Sequence, residues 1–206
     1  MKRSNTMKLK QLFSALALAG TVTAVAAAPQ IGAPAPDFTV VDSHGQTHSL
    51  ADFAGKNVIL EWTNHDCPFV VKHYVSDNMQ GLQQHFTDAD TVWLSVISSK
   101  PGSQGHVSPA KANELTASRS AQPTAVLLDE SGTMGRAYDA RVTPHMYVIG
   151  SDGNLLYMGG IDSIPTANPA DIPKAEAYLA NAGNEVLAGQ PVSKPVTRPY
   201  GCSIKY

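Results

Sequence analysis

The segment Trp62-Thr63-Asn64-His65-Asp66-Cys67-Pro68-Phe69-Val70-Val71-Lys72-His73-Tyr74 constrains this chain more than any other. It follows the apolar run Val58-Ile59-Leu60, which reads as a buried strand because a short β-branched and apolar stretch between polar loops suits one. A helix comes next. From Pro68 to Phe86 the residues Phe69, Val70, Tyr74, Val75, Met79, Leu82 and Phe86 recur mostly at spacings of three and four, which predicts one helix with a single buried face. Pro68 suits a first turn, where a missing N–H costs no hydrogen bond. Cys67 is left at the helix start, where unpaired N–H groups and the positive end of the dipole favour a thiolate. A strand that delivers a cysteine to a helix start makes a nucleophile of a thiol.

The beginning of the chain is of another kind. Lys2, Arg3, Lys8 and Lys10 precede the apolar run Leu12 to Val25, which closes on Ala24-Val25-Ala26-Ala27-Ala28. Basic residues, a short apolar core and small residues form a secretory signal peptide, with cleavage after Ala26 or Ala28; the run is short for a membrane span. Its loss takes 15 basic against 17 acidic residues to 11 against 17, a net charge of −6 in place of −2. A mildly acidic exported protein is a poor nucleic-acid binder. The chain of 206 residues then divides into a signal peptide over 1–28, one domain over 29–190 and a tail over 191–206. Nothing in it calls for a cofactor. Its two cysteines, Cys67 and Cys202, are a candidate disulfide in an oxidising compartment.

After the Cys67 helix, residues 91–97 read as a second buried strand, and Ser108-Pro109 opens a helix to about Ser118, serine as cap and proline in the first turn. Residues 124–128 form a third strand. Val142-Thr143-Pro144 leads into the strand His145 to Ile149, and Asp152-Gly153 turns it into a hairpin with Leu155 to Met158. Pro173 to Leu187 reads as a last amphipathic helix, with Ala177, Leu179 and Val186 inward. Prolines at 191, 195 and 199 make the tail extended. Alternating strands and helices imply an α/β sandwich of three layers.

This order, with Asn64-His65-Asp66-Cys67-Pro68-Phe69-Val70, Val142-Thr143-Pro144, Gly153 to Gly159 and the end Gly201-Cys202-Ser203-Ile204-Lys205, resembles the redoxin superfamily of alkyl hydroperoxide reductases and thiol-specific antioxidants. The resemblance implies a thioredoxin-like α/β/α sandwich in its peroxiredoxin-like branch, with an N-terminal extension and an extended C-terminal tail. It implies a thiol-dependent oxidoreductase, exported to the periplasm or beyond, acting on a peroxide or on protein thiols and disulfides with an external thiol as electron donor.

Local Cys-x-x-Cys pairing is broken, because Val70 holds the second place or, if Cys67 is itself the second, Asn64 holds the first. Cys67 therefore needs a resolving thiol elsewhere, and Cys202 is the one candidate within the chain. A plain structural bridge between them, worth about 3–5 kcal/mol, is the competing reading. Glu61, six residues before Cys67, matches the buried acid that relays protons in thioredoxins; by alternation it shares a face with Ile59 and Thr63, and a solvent-facing glutamate is the alternative. Pro144 matches the cis-proline facing the active cysteine, which makes the Thr143 backbone the edge for a substrate chain.

His65 and Asn64 are placed to stabilise the thiolate. Peroxiredoxins set a threonine or serine three residues before the cysteine and an arginine beside it; here Asn64 holds that place, Thr63 is one residue off, and Arg136 or Arg141 would have to arrive by folding. A copper-binding module using Cys67, His65, His73 and His145, with Met146 as a further candidate ligand, is the alternative of a different class.

Overall fold

The computed structural model describes Met1 and residues 28–206. The signal-peptide reading falls on residues outside that range apart from its two ends. In chain order the elements are β1 (Thr39–Val41), β2 (Thr47–Ser49), β3 (Val58–Trp62), α1 (Pro68–Val75), α2 (Asn78–Asp88), β4 (Val92–Ile97) and α3 (Pro109–Ser118). There follow β5 (Ala125–Leu128), α4 (Thr133–Ala137), β6 (Val142–Thr143), β7 (His145–Ile149), β8 (Leu155–Gly159), α5 (Tyr178–Leu187) and β9 (Cys202–Ser203). Among the described residues no helix is long and apolar enough to cross a membrane.

The central sheet has the order β5-β4-β3-β7-β8, with β3, β4 and β5 parallel and β7 and β8 antiparallel to their neighbours. Its middle strand, β3, is buried at every position, which is why its sequence is an apolar run and not an alternation. One face carries Leu60, Trp62, Leu94, Val96 and Tyr147, covered by the β1–β2 hairpin and α4. The opposite face carries Ile59, Trp93, Met146 and Val148 under α1, α2 and α5, with α3 closing its edge over Ile97 and Val126. This is the three-layer thioredoxin-like α/β sandwich. At its centre Glu61 lies opposite Ser95 of β4 and Met146 of β7.

The helix after Cys67 is two helices. The apolar spacing runs on through Ser76-Asp77, but the Ser76 hydroxyl donates back to the Lys72 carbonyl at 2.7 Å and Asp77 turns left-handed at φ +56° before α2. Short polar side chains that bond their own backbone compete with helix in this way. The last helix also starts later than its periodicity suggests: Pro169–Lys174 is a 3₁₀ segment, and α5 buries Leu179, Ala182 and Gly183 while Ala177 is exposed and Val186 is half-buried. The tail is extended, as its prolines require, yet it is not idle. Val196 bridges Met158 of β8, and farther on β9 pairs antiparallel with β6, Cys202 opposite Thr143.

Candidate active site

Three local features aim Cys67. The Asn64 side chain accepts the Asp66 N–H at 2.9 Å and the Asn64 carbonyl accepts the Cys67 N–H at 3.1 Å, so the loop folds on Asn64, which is buried. Cys67 then takes the N-cap position of α1, extended at φ −77°, ψ 118°, with Pro68 in the first turn. Its carbonyl accepts the N–H groups of Val70 and Val71 at 2.9 and 2.8 Å, which starts the helix. The residue is fully buried.

The sulfur lies between two backbone segments from far along the chain. Cys67 Sγ donates to the Thr143 carbonyl at 3.1 Å, and the Cys202 N–H donates to Cys67 Sγ at 3.4 Å. Thr143-Pro144 is a cis peptide. Pairing of β6 with β9 carries Cys202 to this point, half-buried, and both cysteines are free thiols. Burial, reinforced by the bond to Cys67 and its charge, pushes the Cys202 thiol up to about 12.

Glu61 is wholly buried on the same side of the sheet as Cys67. Its Oε1 accepts from the Tyr74 hydroxyl at 2.8 Å, and its Oε2 from Ser95 Oγ at 2.9 Å, Trp93 Nε1 at 3.0 Å and Gln83 Nε2 at 3.3 Å. Burial raises its pKa, opposed by the hydrogen bonds from Trp93, Tyr74 and Ser95. A buried carboxyl whose neutral form is favoured can store a proton. Beside this network is a cavity of about 40 Å³ lined by Thr63, His65, Tyr74, Ser95, Leu115 and Arg119.

A family model described as the AhpC/TSA family matches residues 31–158, more than half of the chain. The chain belongs to the AhpC/TSA family. Among solved structures this AhpC/TSA member is similar to an uncharacterized conserved protein from Geobacillus kaustophilus, at 23% identity and TM-score 0.74 over 86% of this chain and 92% of that one. A hypothetical protein from Sinorhizobium meliloti 1021 matches at 21% identity and TM-score 0.72 over 87% and 96%. The pneumococcal exposed lipoprotein thioredoxin from Streptococcus pneumoniae matches at 22% and 0.51 over 72% and 99%. These likenesses show the thioredoxin-like fold. Comparison with curated proteins finds no match.

Within this AhpC/TSA chain the remaining candidates disperse. His65 lines the cavity, its Nε2 3.3 Å from Asp66 Oδ1 and its Nδ1 buried without a partner; burial lowers its pKa. His73 Nδ1 is 2.9 Å from Asn78 Nδ2, and His145 Nδ1 is 3.0 Å from the Tyr147 hydroxyl; burial pushes each ring down to about 4. Among the described residues no three His, Cys, Asp or Glu side chains form a group able to hold a metal ion, so Cys67, His65, His73 and His145 do not make the copper set. Each histidine has local partners in place of a shared centre.

The arginines also go elsewhere. Arg119 donates to the His65 carbonyl at 3.0 Å, Arg136 lies 4.7 Å from the centre of the Tyr206 ring, and Arg141 pairs with Asp139 on the surface. The pattern that polarises a peroxide beside the cysteine is therefore not assembled from Arg136 or Arg141.

Sequence reasoning missed a buried polar cluster behind Cys67. Lys72, fully buried on α1, donates to the Ile164 carbonyl at 3.1 Å and lies 3.4 Å from Asp162 Oδ2, with His73 Nε2 3.7 Å from the same oxygen. Tyr200 donates its hydroxyl to Asp162 Oδ1 and packs its ring against Phe69 at 5.8 Å. One signal was present: Phe69, Lys72 and His73 share a helix face by their three- and four-residue spacing.

Proposed function

We propose that this protein is an exported thiol-disulfide oxidoreductase that works through Cys67 and Cys202. Cys67 attacks the sulfur of a disulfide or the oxygen of a small peroxide, and Cys202 then attacks Cys67 to close an internal disulfide. With a disulfide, the first attack breaks its S–S bond and releases one thiol, and the attack by Cys202 on the mixed disulfide releases the second. With a peroxide, Cys67 becomes a sulfenic acid and one alcohol or water leaves. Cys202 then expels water as the bridge forms. An external thiol returns both cysteines to the reduced state. Glu61 holds the proton that this cycle takes up and releases, the Thr143-Pro144 turn presents the edge against which a substrate strand lies, and Asn64 fixes the loop.

The observation that carries the reading is the Cys202 N–H 3.4 Å from Cys67 Sγ, with Cys202 held opposite Thr143. A structural bridge needs the two residues together but not one of them at a helix start. Export rests on the basic residues, apolar run and alanines of the first 28 residues.

The test compares the wild type with the Cys202→Ser variant. Under a stoichiometric pulse of hydrogen peroxide, Cys202→Ser is expected to accumulate a sulfenic acid on Cys67 that a dimedone probe labels. The wild type is expected to show little label, because Cys202 consumes it. Equal labelling of the two proteins would remove Cys202 from the cycle.

A further inference from the structure

The tail does more than carry a cysteine. Residues 200–206, Tyr-Gly-Cys-Ser-Ile-Lys-Tyr, lie in a groove that holds them at both ends and in the middle. At one end Tyr200 is bound to Asp162, meets Phe69 edge-on and is covered by Lys72 Nζ 5.0 Å from its ring centre. At the other end Tyr206 donates to the Ala140 carbonyl at 2.6 Å and rests on Gly132 and Gly135, where any side chain would overlap the ring. Between them the Ile204 N–H donates to the Arg141 carbonyl at 3.0 Å, and the Lys205 carbonyl accepts the Lys100 N–H at 2.9 Å. Gly201 takes φ +137° against the Thr143 carbonyl, and a Cβ there would collide with that oxygen. The groove therefore fits an extended strand of the form aromatic-Gly-Cys, with the cysteine delivered to Cys67.

We propose that Tyr200–Tyr206 is a built-in substrate strand that determines the specificity of the site: it occupies the Thr143 edge on which a cysteine-bearing polypeptide would lie, so Cys67 exchanges with Cys202 and external polypeptides are shut out. This rests on the reading of Cys67 as the nucleophile and Thr143 as the substrate edge. Three features support it. The strand pairs antiparallel with the segment that leads into the cis-proline, its cysteine is the residue opposite Thr143, and the Cys202 N–H donates to the sulfur of the fully buried Cys67. A competing polypeptide must displace two tyrosine anchors and the β9 pairing before its own sulfur can reach Cys67. Small thiols and peroxides need only a local opening.

The test uses full-length protein and insulin as the polypeptide disulfide, with dithiothreitol as the reductant. In the exchange, the Cys67 thiolate attacks an insulin disulfide, forming a mixed disulfide and releasing an insulin thiolate. One dithiothreitol thiol then attacks the insulin sulfur of the mixed disulfide to release the Cys67 thiolate, and its second thiol closes the oxidised ring and releases the second insulin thiolate. The wild type is expected to reduce insulin no faster than dithiothreitol alone. The Tyr200→Ala/Tyr206→Ala variant is expected to be faster by roughly tenfold or more, since each substitution removes a part-buried hydrogen bond and a ring contact that hold the strand shut. Adding Cys67→Ser should abolish the gain. Gly201→Ala, a change confined to the tail, unseats the strand with both anchors intact and should give the same gain.

A wild type that reduces insulin as fast as these variants would overturn the proposal. So would variants that remain slow although hydrogen exchange shows the Cys202 and Ser203 amides released. If peroxide forms no Cys67–Cys202 bridge in the wild type, the underlying cycle is wrong and the proposal falls with it; a bridge that forms normally beside an unguarded Cys67 overturns the specificity claim alone.

Discussion

Glu61 meets four donors with two oxygens, at a position where water does not reach it. Burial favours its neutral form, so Glu61→Gln keeps nearly the same shape while removing the capacity to store a proton. The expected effect is a rate of Cys67–Cys202 bridge formation lower by about 10²-fold. The wild-type pH profile should carry an inflection above the usual carboxylate range that the variant lacks. An inflection that persists in Glu61→Gln would assign the proton to another group. Cys67 was legible at its helix start from short-range pattern, a cysteine before a helix-starting proline, whereas the cis bond at Pro144 and the buried place of Glu61 were expected from the resemblance to the redoxin superfamily. Tyr74, Gln83, Trp93 and Ser95 were not legible as its partners. They come from two helices and a neighbouring strand, and only the parallel register of β3 with β4 sets Trp93 and Ser95 beside it.

Between elements, the junction of α1 with the tail depends on the buried pair Lys72 and Asp162. A lysine within an amphipathic helix ordinarily reads as part of its solvent face, but this one is covered by Tyr200 and the segment after β8. Lys72→Met fills the space without the charge and leaves Asp162 short of a cation. Breaking a buried pair from one side costs about 3–5 kcal/mol, so the urea midpoint is expected to fall markedly, while Lys72→Met/Asp162→Asn should recover part of the loss. A midpoint unchanged in the single variant would show that the pair contributes nothing. The break between α1 and α2 belongs to this scale too. Periodicity carries across Ser76-Asp77 because both helices bury the same face, and hydrophobic spacing does not register a left-handed residue between them.

Over the whole molecule, stability should depend on pH through rings that burial holds neutral. His73 and His145 are each pushed down to about 4 from an ordinary 6.5. Between those values the unfolded chain binds more protons than the folded one, so their contribution is complete above pH 6.5 and is lost as pH falls toward 4. Each ring withdraws on the order of 3 kcal/mol over that window. Glu61 works the other way: its raised pKa adds stability at low pH that is lost as pH rises, but it is one proton against two. Net destabilisation on acidification is expected in urea titrations, reduced by His145→Phe, and a flat profile would show that neither ring is held neutral.

The three-layer sandwich was legible at this scale from the alternation of strands and helices. The closure of the site by its own C-terminus was not, because β6 and β9 are two-residue strands that meet across 59 positions of chain and neither has a pattern of its own.

The central claim is that Cys67 and Cys202 form one redox pair, and disulfide mapping of the wild-type protein tests it most directly. After a stoichiometric hydrogen peroxide pulse and alkylation, proteolysis should yield one cross-linked peptide joining Cys67 to Cys202, lost under mild dithiothreitol and regained on a second pulse. Two cysteines still alkylated as free thiols after the pulse, or a bridge that resists reduction, would contradict it.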